Sequence, residues 1–286
     1  MGYRRRRSNL VDFSKAVAAA AAATNMNEAS SGGSYQPPAE GVCRLRFVGY
    51  IELGKQPKTW KGVEKIVDKC KAIFEVSGPK HPPKEDGTPH LVELSLTKSN
   101  SEKAKFYKLF KRMNEDGKAT HIAQLLGSAY LGDIRLNVVG EGDNTQTYVN
   151  LDAADGSWTI RSPRVQDPET GDFKVIKVAD PVTPLRCFLW DFADMAQWSS
   201  IFIDGEYEAQ EAKDGKPARP AKSKNRYQIA IQSAKNFDGS PMAELLKANG
   251  IEFEPGQQVQ EDDNDHDGDD DGAAGDASAD PLENAG

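Results

Sequence analysis

An aromatic residue set among lysines is suited to one kind of chemistry. Between Gly54 and Asp68 the chain carries Lys55, Lys58, Trp60, Lys61 and Lys65. An indole offers a flat face to a nucleobase, and each ammonium can displace a counterion from a phosphate. The same tryptophan could instead fold back as an apolar cap. A second set, Arg44, Arg46, Tyr50, Lys69 and Lys71, alternates with apolar residues in two flanking segments, and Tyr148 does so in a later one. These side chains make either a cationic, partly aromatic strand face or an ordinary solvated one.

Other chemistry finds little footing. The chain has no Gly-x-x-x-x-Gly-Lys-Ser/Thr phosphate loop and no Gly-x-Ser-x-Gly elbow. His81, His90, His121 and His266 do not stand at metal-ligand spacings with Cys43, Cys70 or Cys187. The carboxylates are plentiful but single out no nuclease-like cluster. Asp263-Asn264-Asp265-His266-Asp267-Gly268 matches the opening half of a calcium loop, yet the closing position is Ala274 rather than glutamate. A binding protein without enzymatic activity, cofactor or metal is therefore expected. Three cysteines with no close pair suit a reducing, cytoplasmic compartment. No apolar run reaches the length of a membrane span, so no membrane partner is expected.

The elements that must position these residues follow from hydrophobic period. A period of two runs through Cys43–Leu53, with Cys43, Leu45, Phe47, Ile51 and Leu53 inward and Arg44, Arg46, Val48, Tyr50 and Glu52 outward. Lys69–Ser77 buries Cys70, Ala72, Phe74 and Val76, and His90–Thr97 buries Val92, Leu94 and Leu96. The period then becomes helical from Ser101 to Leu126, through Ala104, Phe106, Leu109, Phe110 and Met113, with Ser101 as N-cap and a break at Asp116-Gly117. Two strands follow, Asp133–Val139 and Gln146–Leu151, joined by hairpin residues Gly140–Asn144. The order β-β-β-α-β-β predicts a mainly β chain. It is that of an OB-fold-like five-stranded barrel with a helix between strands three and four.

Composition divides the chain further. Its net charge of −8 is unevenly placed: all 36 Lys and Arg side chains precede residue 251, against 31 of the 44 acidic ones, which leaves the body at +5. Residues 1–40 read as a mobile basic and Ala-rich arm (Arg4–Arg7, then Ala18–Ala23), with Asp12 and Lys15 interrupting any export signal. Residues 41–151 hold the barrel. Residues 152–250 read as a barrel extension or a small second unit, ending in helices split around Gly239-Ser240-Pro241. Residues 251–286 are expected to be a disordered acidic tail.

The segments Ile73-Phe74-Glu75-Val76-Ser77-Gly78-Pro79 and Leu126-Gly127, together with the basic body and acidic tail, resemble bacteriophage single-stranded DNA-binding proteins. The resemblance covers roughly residues 41–151 and the tail. It implies a barrel that binds single strands without sequence preference in DNA replication and recombination, in the host cell cytoplasm. It also implies a tail that competes with DNA for the basic groove and recruits replication proteins. Recruiting tails of that family end in an aromatic residue, whereas this one offers only Leu282. On that basis Arg44, Arg46, Lys58, Lys61, Lys69 and Lys71 neutralise phosphates, while Tyr50, Trp60 and Tyr148 stack on bases. Other classes remain open: a structural or scaffolding protein of a virus particle, a recombination mediator, or a nucleic-acid enzyme.

Overall fold

The computed structural model describes residues 37–60, 62–140, 145–209, 218 and 220–251. All of them fall in one unit of the chain, which begins at Pro37. Residues 1–36 of the expected arm, the acidic tail from residue 252 onward, Lys61 and the side chain of Trp60 lie outside the described residues.

Among the described residues ten strands follow in chain order: β1 (Gly41–Trp60), β2 (Val63–Ser77), β3 (His90–Thr97), β4 (Ala129–Val139), β5 (Gln146–Asn150), β6 (Arg164–Gln166), β7 (Phe173–Val175), β8 (Arg186–Phe188), β9 (Glu206–Tyr207) and β10 (Lys222–Ser223). The first five form an antiparallel path in the order β3-β2-β1-β4-β5, and β8 joins β1 in parallel to make six strands. The chain is thus mainly β, as its periodicity implies. The sheet is not closed into a barrel: β3 and β5 approach each other without a ladder of hydrogen bonds among the described residues.

β1 organises the rest because both of its faces are buried. Cys43, Leu45, Phe47 and Tyr50 enter one core with Phe74, Leu94, Leu109, Ile134 and Leu151. Val48, Ile51 and Leu53 enter a second with Phe188, Trp198, Ile201, Ile231 and Met242. Each large apolar side chain so buried contributes about 1.5–3 kcal/mol. The switch between faces is a β-bulge. Phe47 lies opposite Phe74 and Gly49 opposite Ile73, so Val48 has no partner and the alternation slips by one.

The first core is covered by α1 (Lys105–Met113), which buries Phe106, Leu109 and Met113 at helical spacing. Ala104, not Ser101, occupies its N-cap, and no side chain caps the helix. The second half of the expected helix is a single 3₁₀ turn, Ile122–Leu125, where His121 Nδ1 accepts from the Ala123 amide and Gln124 Oε1 from the His121 amide. The second core is covered by β8, α2 (Met195–Ser200), α3 (Arg226–Gln232) and α4 (Pro241–Ala248). Ser240 caps α4 through the Ala243 amide with Pro241 in the first turn, the break that Gly239-Ser240-Pro241 foretells.

The expected loop from Gly54 to Asp68 is instead an extension of β1 and β2. Their pairing continues past the end of β3 as a two-stranded arm, through Lys55↔Asp68 and Lys58↔Lys65 to Trp60↔Val63. Gly54 sits at the root of this arm with φ +73, and a Cβ there would lie 2.2 Å from Trp190 Cζ3. Gly54→Ala is expected to cost about 3 kcal/mol or more, through backbone strain and overpacking together. Denaturant unfolding of the variant checks this, and unchanged stability would show that the arm root does not hold Trp190 in place.

Candidate nucleic-acid interface

The sheet reassigns several of the expected contact residues. Tyr50 does not face outward: it is fully buried, because the bulge at Val48 turns it onto the Phe47 side. Its hydroxyl donates to Glu52 Oε1 at 3.0 Å, and burial raises its pKa above the ordinary tyrosine value. Lys69 is buried too, at 7% exposure, beside a polar cleft of about 230 Å³ lined by Glu52, Asp68, Lys98, Trp190 and Asn236. Neither is placed to meet a strand of DNA.

Arg46 and Lys71 do face outward, but the chain itself covers them. Arg46 donates to the carbonyls of Gly127, Val178 and Ala179 at 2.7–2.8 Å and lies 3.2 Å from Asp180 Oδ1. Glu75, its cross-strand partner on β2, accepts from the amides of Val182 and Thr183 at 3.0 and 2.7 Å. This oppositely charged pair therefore holds the segment 178–183 against the outer face of the sheet. Lys71 Nζ lies 3.4 Å from Glu93 Oε1, while Arg226 Nη2 lies 2.7 Å from Glu93 Oε2 and the Tyr227 hydroxyl donates to the same oxygen. The middle of the outer face is closed by hydrogen bonds to charged groups, which are stronger than neutral ones.

The periphery remains. In the arm, the paired register puts positions 58, 60, 63 and 65 on one side and 55, 57, 64 and 66 on the other. Lys58 and Lys65 stand directly opposite, so two cations share one side of the arm. The arm root is rigidly held. The Lys55 amide donates to Asn236 Oδ1 at 2.7 Å, the Lys235 amide to the Lys55 carbonyl at 2.8 Å, and Gln56 Nε2 to the Ala230 carbonyl at 2.8 Å. On β4–β5, Arg135, Asn137, Tyr148 and Asn150 share the outer face, through Arg135↔Asn150 and Asn137↔Tyr148. Tyr148 is half-buried with its hydroxyl on Gln146 Oε1, and Arg135 pairs with Asp152 at 3.1 Å. Arg44 is half-buried on β1 beside Gly78.

The structure thus keeps Arg44, Lys55, Lys58, Lys65 and Tyr148 at or near the surface, and adds Arg135 to them. The alternation of Arg135 with Ile134 and Leu136 places it outward, and it is exposed. A further exposed aromatic, Phe173 on the β6–β7 hairpin, was signalled by the turn Pro168-Glu169-Thr170-Gly171 that precedes it. Among the described residues no cluster of His, Cys, Asp and Glu could hold a metal ion, and no helix is long and apolar enough to cross a membrane. No family model, curated protein or solved structure matches this chain.

The Glu93 cluster generates a pH dependence. Burial alone would raise the Glu93 carboxyl, but the Arg226 and Lys71 charges and the Tyr227 hydroxyl outweigh it and hold the pKa at about 2. A depressed carboxylate stabilises the fold above its ordinary value near 4.5, and that stability is lost as pH falls toward 2. Glu93→Gln is expected to lower stability at neutral pH by about 1.5–3 kcal/mol. Unfolding midpoints measured across acid pH should show the variant and wild type converging near the low end. Parallel curves would show that Glu93 carries no such linkage.

Proposed function

We propose that the chain binds single-stranded DNA without sequence preference, along the periphery of its sheet. The strand order carries this reading. β3-β2-β1-β4-β5, with α1 between β3 and β4, is the order of the oligonucleotide-binding fold, a barrel that is often partly open. That fold meets its ligand through the face of strands two and three and through the connections β1–β2 and β4–β5. Here the first of these is closed by the 178–183 segment and α3, whereas the β1–β2 connection runs on as the paired arm. Lys55, Lys58 and Lys65, with Lys61 and Trp60 between them in the sequence, neutralise phosphates and stack on a base. Arg135 and Tyr148 do the same on β4–β5, flanked by Arg44.

The basic body and acidic tail add a second part to the mechanism. The carboxylates of residues 252–286 occupy the cationic periphery when DNA is absent and leave it when DNA binds. A role in bacteriophage DNA replication or recombination, with the tail recruiting replication proteins, follows from the family resemblance of the barrel segments and tail.

Fluorescence titration with oligo-dT and with duplex of matched length, at two salt concentrations, tests the proposal. Tight, salt-sensitive binding selective for the single strand is the expected result. Lys55→Ala with Lys65→Ala should reduce the slope of log affinity against log salt by about 0.7 for each phosphate no longer neutralised. Deleting residues 254–286 should tighten binding, most at low salt; unchanged affinity there would remove the competition. No binding at low salt, even without the tail, would move the chain to the structural-protein class.

A further inference from the structure

β6 and β7 form a two-stranded sheet that joins no other. Such a hairpin is marginal by itself, so its order depends on its attachments. The Ile176 amide donates to the Pro163 carbonyl at 2.7 Å, closing the root. Asp167 Oδ1 accepts from the amides of Glu169 and Thr170, closing the tip. Glu115, just past α1, fixes the base by accepting from Ser162 Oγ and by pairing with Arg164 Nη2 at 3.2 Å.

What this small structure presents is an aromatic ring. The register Arg164↔Val175 and Gln166↔Phe173 puts these four residues on one face. The Arg164 guanidinium carbon lies 4.8 Å from the centroid of the Phe173 ring, a cation–π contact made while Glu115 holds the guanidinium in place. Phe173 is nonetheless 57% exposed and Val175 74% exposed, so much of the ring stays open beside Arg164. An apolar surface alone would name no occupant. Here the ring is backed by a cation, Arg112 lies 3.9 Å from the same Glu115, and Lys111 is exposed in the last turn of α1. The carboxylates of the turn, Asp167, Glu169 and Asp172, lie toward the tip, with Asp167 engaged in capping it. A π-face backed by the Arg164 guanidinium, with Arg112 beside the same carboxylate, matches an unpaired base with its phosphate.

We infer that Phe173 is a base-stacking platform for single-stranded DNA, with Arg164 backing the ring as a positioning residue. This site rests on the single-strand reading and lies outside the arm and the β4–β5 face that carry that reading. The test uses the full chain and a fluorescein-labelled oligo-dT, with wild type, Phe173→Ala, Phe173→Leu and Phe173→Trp compared. The side chain is exposed, so far-UV circular dichroism and melting temperature of the three variants should match the wild type. Phe173→Ala and Phe173→Leu should weaken binding about 5- to 150-fold, the effect of losing one base–aromatic stack. Phe173→Trp should retain affinity, and its added tryptophan emission should be quenched on binding. Wild-type affinity in Phe173→Ala, or full rescue by Leu, would overturn the stacking site while leaving single-strand binding intact. Failure of the wild type to bind would overturn both.

Discussion

The constraint on which the structure depends is that β1 must bury both of its faces. A strand with strict alternation can serve two cores only if its residues are apolar throughout. β1 instead carries arginine, tyrosine and glutamate among its apolar side chains, and the bulge at Val48 reconciles them. By advancing two residues against one of β2, it turns Tyr50 inward beside Phe47 and leaves Val48, Ile51 and Leu53 for the second core. Gly49 makes this possible, since a Cβ there would lie 2.8 Å from Ile73 Cδ1. β8 pairs with β1 at Gly49–Ile51, where the β4 ladder has already ended at Arg46, so the C-terminal cover docks where the strand slips.

Charge on the outer face then holds structure together. Arg46 and Glu75 oppose each other, and each meets a different set of backbone groups: the guanidinium takes carbonyls and the carboxylate takes amides. Three of these bonds are part-buried, so the ions satisfy backbone groups that would be costly to leave unpaired under residues 178–183. Glu93 does the equivalent for α3 through Arg226 and Tyr227. The polar residues of the sheet face thereby hold a cover in place, and exposed cationic side chains are left to the margins.

Those margins share a construction. The β1–β2 arm and the β6–β7 hairpin are two-stranded ribbons whose roots are pinned by hydrogen bonds to neighbouring elements, Asn236 and Lys235 for the first and Glu115 for the second. Pinning at the root lets a short ribbon project polar and aromatic positions without a core beneath them. On the proposed function, such separated contacts would meet an extended, unpaired strand with its bases open.

Much of the fold was legible in the sequence. Alternation in Cys70–Val76, His90–Thr97 and Ile134–Val138 marked strands, the spacing of Phe106, Leu109 and Met113 marked α1, and Ser240-Pro241 marked the start of α4. These signals are local: each depends on which neighbours share a face within one element. The sign and type of Arg46, Lys71 and Tyr50 were equally visible, but their environments were not. Tyr50 was misplaced because a bulge leaves no mark on composition. Arg46 and Lys71 were rightly placed outward, yet their partners lie more than a hundred residues away in the case of Val178 and Ala179, and across the β2–β3 ladder in that of Glu93. The chain's own order thus determined which elements form and which side chains carry charge. Only tertiary packing decided which charges are covered, because coverage depends on long-range contacts that no local period records.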